Sequence, residues 1–368
     1  MKKVLKRGLL AILGIVLALV LIVGGYILYA QLQYYRIEDF AKLDIANGQS
    51  TMLETGKEYT AVTSNIGFGA YDREYSFFMD TGVMLDGTAV SGKYGKASSE
   101  EAAARNTDSA VKALKALDAD FYLVQEVDED ATRSFHINQR KALADAFPNH
   151  SESYAENFHS AFLMYPFNDP HGKTIAGVST LADVKTSEAV RRSYPVDNSF
   201  FTKFFDLDRC FAVTRAPVEG GGELVIINSH MSAYDKGGTI RMSQLKLLNE
   251  VLTEELDKGN YVIVGGDFNH ALGDTANAFP SQQQFPGWVY ELSNADLAKG
   301  YSIVSAVNDH EVATCRGADI PYKKGVNFET VVDGFIVSDN IDAQSLNIDT
   351  GYEFSDHNPV KLTFKLAA

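Results

Sequence analysis

Apolar residues along the chain fall into stretches of three kinds. The first runs from Gly8 to Ala30, 23 positions without a charge. At about 1.5 Å per residue this makes about 35 Å of helix, enough to cross a hydrocarbon core. Lys2, Lys3, Lys6 and Arg7 precede it, and Tyr26, Tyr29, Tyr34 and Tyr35 gather at its far end, as in an aromatic belt. A cleaved signal peptide would have an apolar region of only about 7–15 residues ending in small residues. The pattern predicts one uncleaved transmembrane signal anchor over 8–30, with a basic cytoplasmic flank at 1–7. It also predicts a juxtamembrane connector at 31–58, and the positive flank predicts that residues from about 36 onward lie outside the cell.

The second kind repeats at helical spacing. In "SSEEAAARNTDSAVKALKALDA", Ser98 or Ser99 can cap a helix whose Ala110, Val111, Leu114 and Leu117 form one stripe. "TIRMSQLKLLNEVLTEELDKG" predicts an amphipathic helix stopping at Gly259, and 137–147 suggests a third. The third kind is β-like: "EYTAVTSNIGF", "DFYLVQEV" ending at Glu126, "SAFLMYP", "TIAGVSTLADV", "CFAVTRAPV", "ELVIINSHM", "NYVIVGGDFN", "TVVDGFIVSD" and "NPVKLTFKL". Residues 70–98 are rich in Gly, Ser, Asp and Tyr and read as a long loop. Helices separate some strands while others look hairpin-linked. The expectation is a mixed α/β sandwich, not a simple parallel sheet, in a single catalytic-sized domain over 59–368.

Composition sharpens this picture. Of 368 residues, 45% are hydrophobic and 22% charged, which is ordinary for a globular protein with a sizeable core. Four of the 33 basic residues lie in the first 30 positions, leaving 29 against 48 acids, a net of −19 beyond the anchor. Such a surface offers no basic stripe for non-specific nucleic-acid binding. It leaves room for an enzyme that meets phosphate through a local metal. Two cysteines, Cys210 and Cys315, are too few for a disulfide-built scaffold, and their pairing stays open.

Apolar strands end repeatedly in polar residues that packing alone would not select: Asn65, Glu126, His230, Asp267 with Asn269, and Asp333. Asp356 and His357 stand just before the final strand. Each has a plain reading. Asn65 suits a strand-end turn, Glu126 a solvated acidic loop with Asp128 to Asp130, and His230 a satisfied core position. Asp267 and Asn269 suit an Asx turn, Asp333 a bend, and Asp356 a loop cap. Together they fit chemistry better. Carboxylates and an amide suit a hard cation such as Mg²⁺, which shares its sphere with water and substrate phosphate. Two histidines with a carboxylate partner can move protons near neutral pH. The set lacks the cysteines of a thiolate zinc site. Metal-assisted hydrolysis of a phosphate ester is the most economical use of the inventory.

"SNIGF", "DFYLVQEV", "INSHM", "GGDFN", "VVDGFIV" and "SDHNPV" occur in an order that resembles the endonuclease/exonuclease/phosphatase superfamily, over Asn65 to Pro359. The resemblance implies a deoxyribonuclease-like four-layer sandwich of two sheets. It implies Glu126 as the principal metal ligand, Asn65 beside it on metal or phosphate, and Asp356 in metal binding or orientation. Asp267 would position or deprotonate the attacking water and Asn269 would hold the scissile phosphate. His357 would pair with Asp333, and His230 would stabilise developing charge or protonate the leaving oxygen. The implied cofactor is Mg²⁺, with Mn²⁺ or another divalent cation as alternatives. Arg209 and His159 resemble phosphate- or substrate-facing positions of relatives, although Arg209 could equally pair with Asp206 or Asp208. His136, His150, His171, His270 and His310 read as exposed loop residues, and Trp288 as a core or loop anchor. The implied function is a membrane-anchored phosphodiesterase, endonuclease-like first, with a phospholipid phosphodiesterase, a phosphomonoesterase or an inactive binding module as alternatives. The substrate is a nucleic acid or a phospholipid, the bilayer is met through residues 8–30, and no protein partner is inferred.

Overall fold

The computed structural model describes residues 2–233 and 238–368. Four helices, α1 (Lys2–Gln33), α2 (Glu100–Leu117), α3 (Gln139–Ala146) and α4 (Thr239–Asp257), accompany two large sheets. Their strands are β1 (Ala41–Lys42), β2 (Glu58–Asn65), β3 (Phe121–Ala131), β4 (Ser151–Leu163), β5 (Gly172–Ala182) and β6 (Glu188–Ser193). There follow β7 (Cys210–Pro217), β8 (Glu223–His230), β9 (Tyr261–Asp267), β10 (Tyr301–Ile303), β11 (Asp333–Ser338), β12 (Ile341–Asn347) and β13 (Val360–Leu366). One sheet has six strands in the order β12-β13-β2-β3-β5-β4, and the other seven in the order β1-β6-β7-β8-β9-β11-β10.

Strand alternation decides which side chains meet between the sheets. Leu123 and Leu362 from one sheet pack with Ile226, Ile263 and Phe335 from the other. The alternate residues face helices. Val62, Tyr122 and Val124 receive Ala110 and Leu114 of α2, while Val225, Val262 and Val264 receive Leu248 and Leu252 of α4. Central strands are thus buried on both faces, which is why they read as unbroken apolar runs. The expected helix–sheet–sheet–helix sandwich is what forms. Ser99 caps α2, its hydroxyl accepting from Ala102 N–H at 3.1 Å.

Four details differ from the sequence reading. The strand expected to end at Glu126 continues to Ala131 through a bulge between Val124 and Val127. Residues 31–58 are more than a connector. α1 extends to Gln33, β1 pairs with β6 at Ala41–Arg191 and Lys42–Val190, and Leu53 is fully buried between the sheets. β6, β10 and β12 escaped notice because they lack a contiguous apolar run; β12 is the outer strand of its sheet and alternates buried with open positions. The 70–98 loop carries a small hairpin, Thr81–Val83 with Ala89–Ser91. Cys210 and Cys315 are both free thiols.

Candidate metal and phosphate site

Strand register places the expected residues side by side. β8 runs parallel to β9 with His230 opposite Asp267, and β11 runs antiparallel to β9 with Asp333 opposite Asp267. Three polar residues therefore form one row across three adjacent strands, about 4.8 Å apart in backbone spacing. The two glycines before Asp267 allow this closeness. A Cβ on Gly265 would stand 2.6 Å from the Phe335 ring, and one on Gly266 1.9 Å from the Ser229 carbonyl oxygen.

The opposite sheet closes the site. Asn65, fully buried at the end of β2, donates through Nδ2 to Asp267 Oδ2 at 3.1 Å and Glu126 Oε1 at 3.2 Å. Its Oδ1 accepts from Gly67 N–H at 3.0 Å. Both ends of the amide are thus engaged within the protein. Asn65 bridges the Asp267 and Glu126 carboxylates. Glu126 sits in the β3 bulge with φ 54°, a left-handed conformation that turns its side chain toward the cleft.

His357 Nδ1 lies 2.8 Å from Asp333 Oδ2, and its Nε2 faces Asp267 Oδ2 at 3.8 Å. Thr314 Oγ1 accepts from the backbone N–H groups of Val332 and Asp333 at 2.9 and 3.0 Å. Ser355 Oγ accepts from His357 N–H at 3.1 Å and donates to the Asn65 carbonyl at 2.8 Å. Neither Thr314 nor Ser355 was singled out from sequence. Ser355 lies inside "SDHNPV" and could have been; Thr314 carried no signal. Cys315 Sγ touches His357 Nε2 at 3.7 Å.

Burial opposes a charge on His357, yet the Asp333 carboxylate, with Cys315 and Asp267, holds it well above the usual imidazole range. Burial pushes Asp333 up to about 6, moderated by His357 and reinforced by Asp267. His230 behaves oppositely. Burial first, then Arg209 and His357, press its pKa well below normal, so it is neutral. Arg209 NH1 donates to His230 Nε2 at 2.6 Å, and the buried Nδ1 has no hydrogen-bond partner among the described residues. Burial raises Asp356 to about 7, with Glu126 and Asp80 adding to the effect and His357 and Arg316 opposing it.

These residues suit a hard cation. Ligand atoms of Asp267, Asp333 and His357 lie within 4.8 Å of one another, and buried Asp333 Oδ1 has no hydrogen-bond partner among the described residues. Glu126 and Asp356 repel one another across the same cleft. Asn269, with φ 50°, donates from Nδ2 to the Met231 carbonyl at 3.0 Å and from its backbone N–H to Asp267 Oδ1 at 2.9 Å. His159 is not brought to the cluster; its ring lies 4.4 Å from that of Tyr35, tilted by 51°, with Nδ1 2.9 Å from the Tyr35 hydroxyl.

Other expectations are corrected by burial. Asp128 is not in a solvated acidic loop; it is fully buried and salt-bridged to Arg133 at 2.7 Å. His171 and His270 are buried rather than exposed, His171 Nδ1 lying 2.6 Å from the Gly95 carbonyl oxygen.

No family model and no curated protein matches the chain. Solved structures do. An endonuclease/exonuclease/phosphatase from Beutenbergia cavernae DSM 12333 is 16% identical with a TM-score of 0.53, covering 85% of this chain and 72% of that one. ANGEL2, a 2',3'-cyclic phosphatase, in complex with adenosine-2',3'-vanadate, is 16% identical with a TM-score of 0.53, covering 89% and 99%. TDP2 from C. elegans is 13% identical with a TM-score of 0.51, covering 84% and 76%. The strand order, the row of polar residues at the strand ends and these likenesses together identify the fold of the chain as that of the endonuclease/exonuclease/phosphatase superfamily.

Proposed function

We propose that this protein is a membrane-anchored, divalent-metal-dependent phosphodiesterase whose catalytic domain lies outside the cell. The observation that carries the reading is the His230–Asp267–Asp333 row, completed by His357 and tied through Asn65 to Glu126. A fold shared with a 2',3'-cyclic phosphatase supports phosphate-ester chemistry. The apolar, solvent-facing α1 supports the anchor.

Glu126 and Asp356, whose carboxylates repel one another in the absence of a cation, would hold Mg²⁺ or Mn²⁺ beside the Asp267, Asp333 and His357 cluster. When bound, such an ion neutralises phosphate charge and makes an attacking water more acidic. The remaining work belongs to side chains. Asp267, fixed by Asn65 and the Asn269 N–H, orients the water for in-line attack. His357, held by Asp333, handles the proton. Arg209 offers a guanidinium beside His230, of a kind suited to a phosphate oxygen, and Asn269 offers its amide. His230, neutral and accepting from Arg209, supplies polarity to the developing charge and is not poised as a proton donor.

The test is hydrolysis of a small chromogenic phosphodiester by the full-length chain in detergent over a range of Mg²⁺ concentrations. Glu126→Gln is expected to demand far more metal or to lose at least about a hundredfold in rate. Equal activity of Glu126→Gln, or full activity in chelator, would defeat the proposal.

A further inference from the structure

The contacts between α1 and the domain have a direction. Following β4 from its start, Glu152 bridges Ala46, and Glu156 and His159 both meet Tyr35. Further along, Ala161 packs with Ala30, and the Phe162 backbone bonds to the hydroxyls of Tyr26 and Tyr29 at 3.0 and 3.2 Å. Moving back toward the N-terminus, the chain therefore climbs β4 toward Leu163, and α1 projects beyond that end. Ser160 of β4 pairs with Thr174 of β5, which pairs with Ala131 of β3. Asn65 ends β2 on this same side, because β3 runs parallel to β2 with Gln125 opposite Asn65, and Glu126 follows Gln125. The helix thus leaves the sandwich at the end that carries the cleft.

The attachment is built, not loose. Buried Arg191 donates to the carbonyls of Glu156, Glu38 and Asp208 at 2.7, 3.0 and 2.8 Å, binding β4, the post-helix segment and the loop before β7 into one block. Arg36 pairs with Asp208 and with Asn198, and Lys203 Nζ donates to Gln31 at 2.8 Å.

Two loops flank the helix at this end, and both bear exposed aromatics. The loop after β4 presents Tyr165 and Phe167, the latter 83% exposed; the loop before β7 presents Phe200, Phe201, 63% exposed, and Phe205. Phe162, at the end of β4 where the first loop begins, contacts Tyr26, and Phe204 in the second loop contacts Tyr34 of the helix region. Tyr26 lies four residues before Ala30, about 6 Å inside the end of the apolar run. The loops therefore stand at the level where hydrocarbon gives way to headgroups, the preferred depth for aromatic side chains.

From this placement we propose that the two aromatic loops seat the open end of the sandwich on the bilayer that α1 crosses, so that the cleft faces the headgroup layer and takes its phosphate ester from lipids of that leaflet. The proposal rests on the reading of α1 as an anchor and of the cleft as a phosphoesterase. Glu156, level with the Glu126 bulge, precedes Ala161 by five residues, about 16 Å of strand. Headgroups fill about 5–8 Å of that distance. The cleft thus opens onto headgroups across about 10 Å.

The experiment uses the full-length chain in phosphatidylcholine vesicles containing some anionic phospholipid brominated at shallow acyl positions. Phe167→Trp is expected to show blue-shifted emission that the bromines quench, above the Trp288 background. Glu219→Trp, in the turn at the opposite end, should stay unquenched. Unquenched, water-like emission from Phe167→Trp would overturn the seating, whatever the enzyme hydrolyses. A Phe167→Glu, Phe201→Glu double variant with an unchanged unfolding midpoint should lose at least tenfold in hydrolysis of vesicle phospholipid. It should keep its rate on a soluble phosphodiester. Equal losses on both substrates, or nicking of plasmid DNA with the lipid spared, would overturn the lipid assignment. Quenching without hydrolysis of any ester would keep the seating and remove the enzymatic reading on which the substrate depends.

Discussion

His357 and Asp333 work as one unit, because each is buried and each holds the other's charge. Asp333→Asn should leave the fold intact and lower turnover by about 10²–10⁴, with KM little changed, as read in steady-state kinetics on a soluble phosphodiester. A mainly structural role would instead show as a lowered unfolding midpoint. Away from the site, burial first and Arg133 second push His171 down to about 3, with the Gly95 carbonyl opposing. The unfolded imidazole titrates near 6.5, so the unfolded chain binds the extra proton below that pH. The stability contributed by neutral His171 is complete above about pH 6.5 and is lost as pH falls toward 3, at about 1.4 kcal/mol per unit. The stability gap between the wild type and His171→Asn in urea should therefore narrow by about 2 kcal/mol between pH 7 and pH 5. A constant gap would contradict the assignment. Nothing near His171 in the sequence announces its burial, since the aromatic rings and Arg133 around it come from distant segments.

Among the elements, the site owes its geometry to strand ends. Gly265 and Gly266 were legible as a break in an apolar run, but not what they approach. Phe335 and Ser229 reach them only through the pairing of β9 with β11 and β8. Gly266→Ala places a Cβ against the Ser229 carbonyl, with no flexible side chain able to yield. It should cost more than about 2 kcal/mol in chemical unfolding, with activity falling as the row is displaced. Ser99→Ala should cost only about 1 kcal/mol, the ordinary value of a helix N-cap. The bulge at Glu126 was illegible for a related reason. A run such as "DFYLVQEVDEDA" gives no sign that one residue will take a left-handed φ, because the register of β5 decides it. The outer strand β12 and the pairing of β1 were missed because they lack a two-sided apolar core around them.

The whole molecule joins an acidic domain, net −19 beyond residue 30, to an apolar N-terminal helix whose Ala30 packs on Ala161 and Phe204. The ordered motifs made the two-sheet sandwich readable, whereas the direction of α1 depends on contacts more than a hundred residues apart in sequence. On the proposed function, the residues gathered at the strand ends perform metal-dependent phosphodiester hydrolysis. The most direct test compares the full-length protein and its His357→Ala variant in detergent, on a soluble phosphodiester, with Mg²⁺ and with chelator. Turnover should require the metal and fall by at least about a hundredfold in a variant that remains folded. Turnover that persists in chelator, or survives in the variant, would contradict the proposed function.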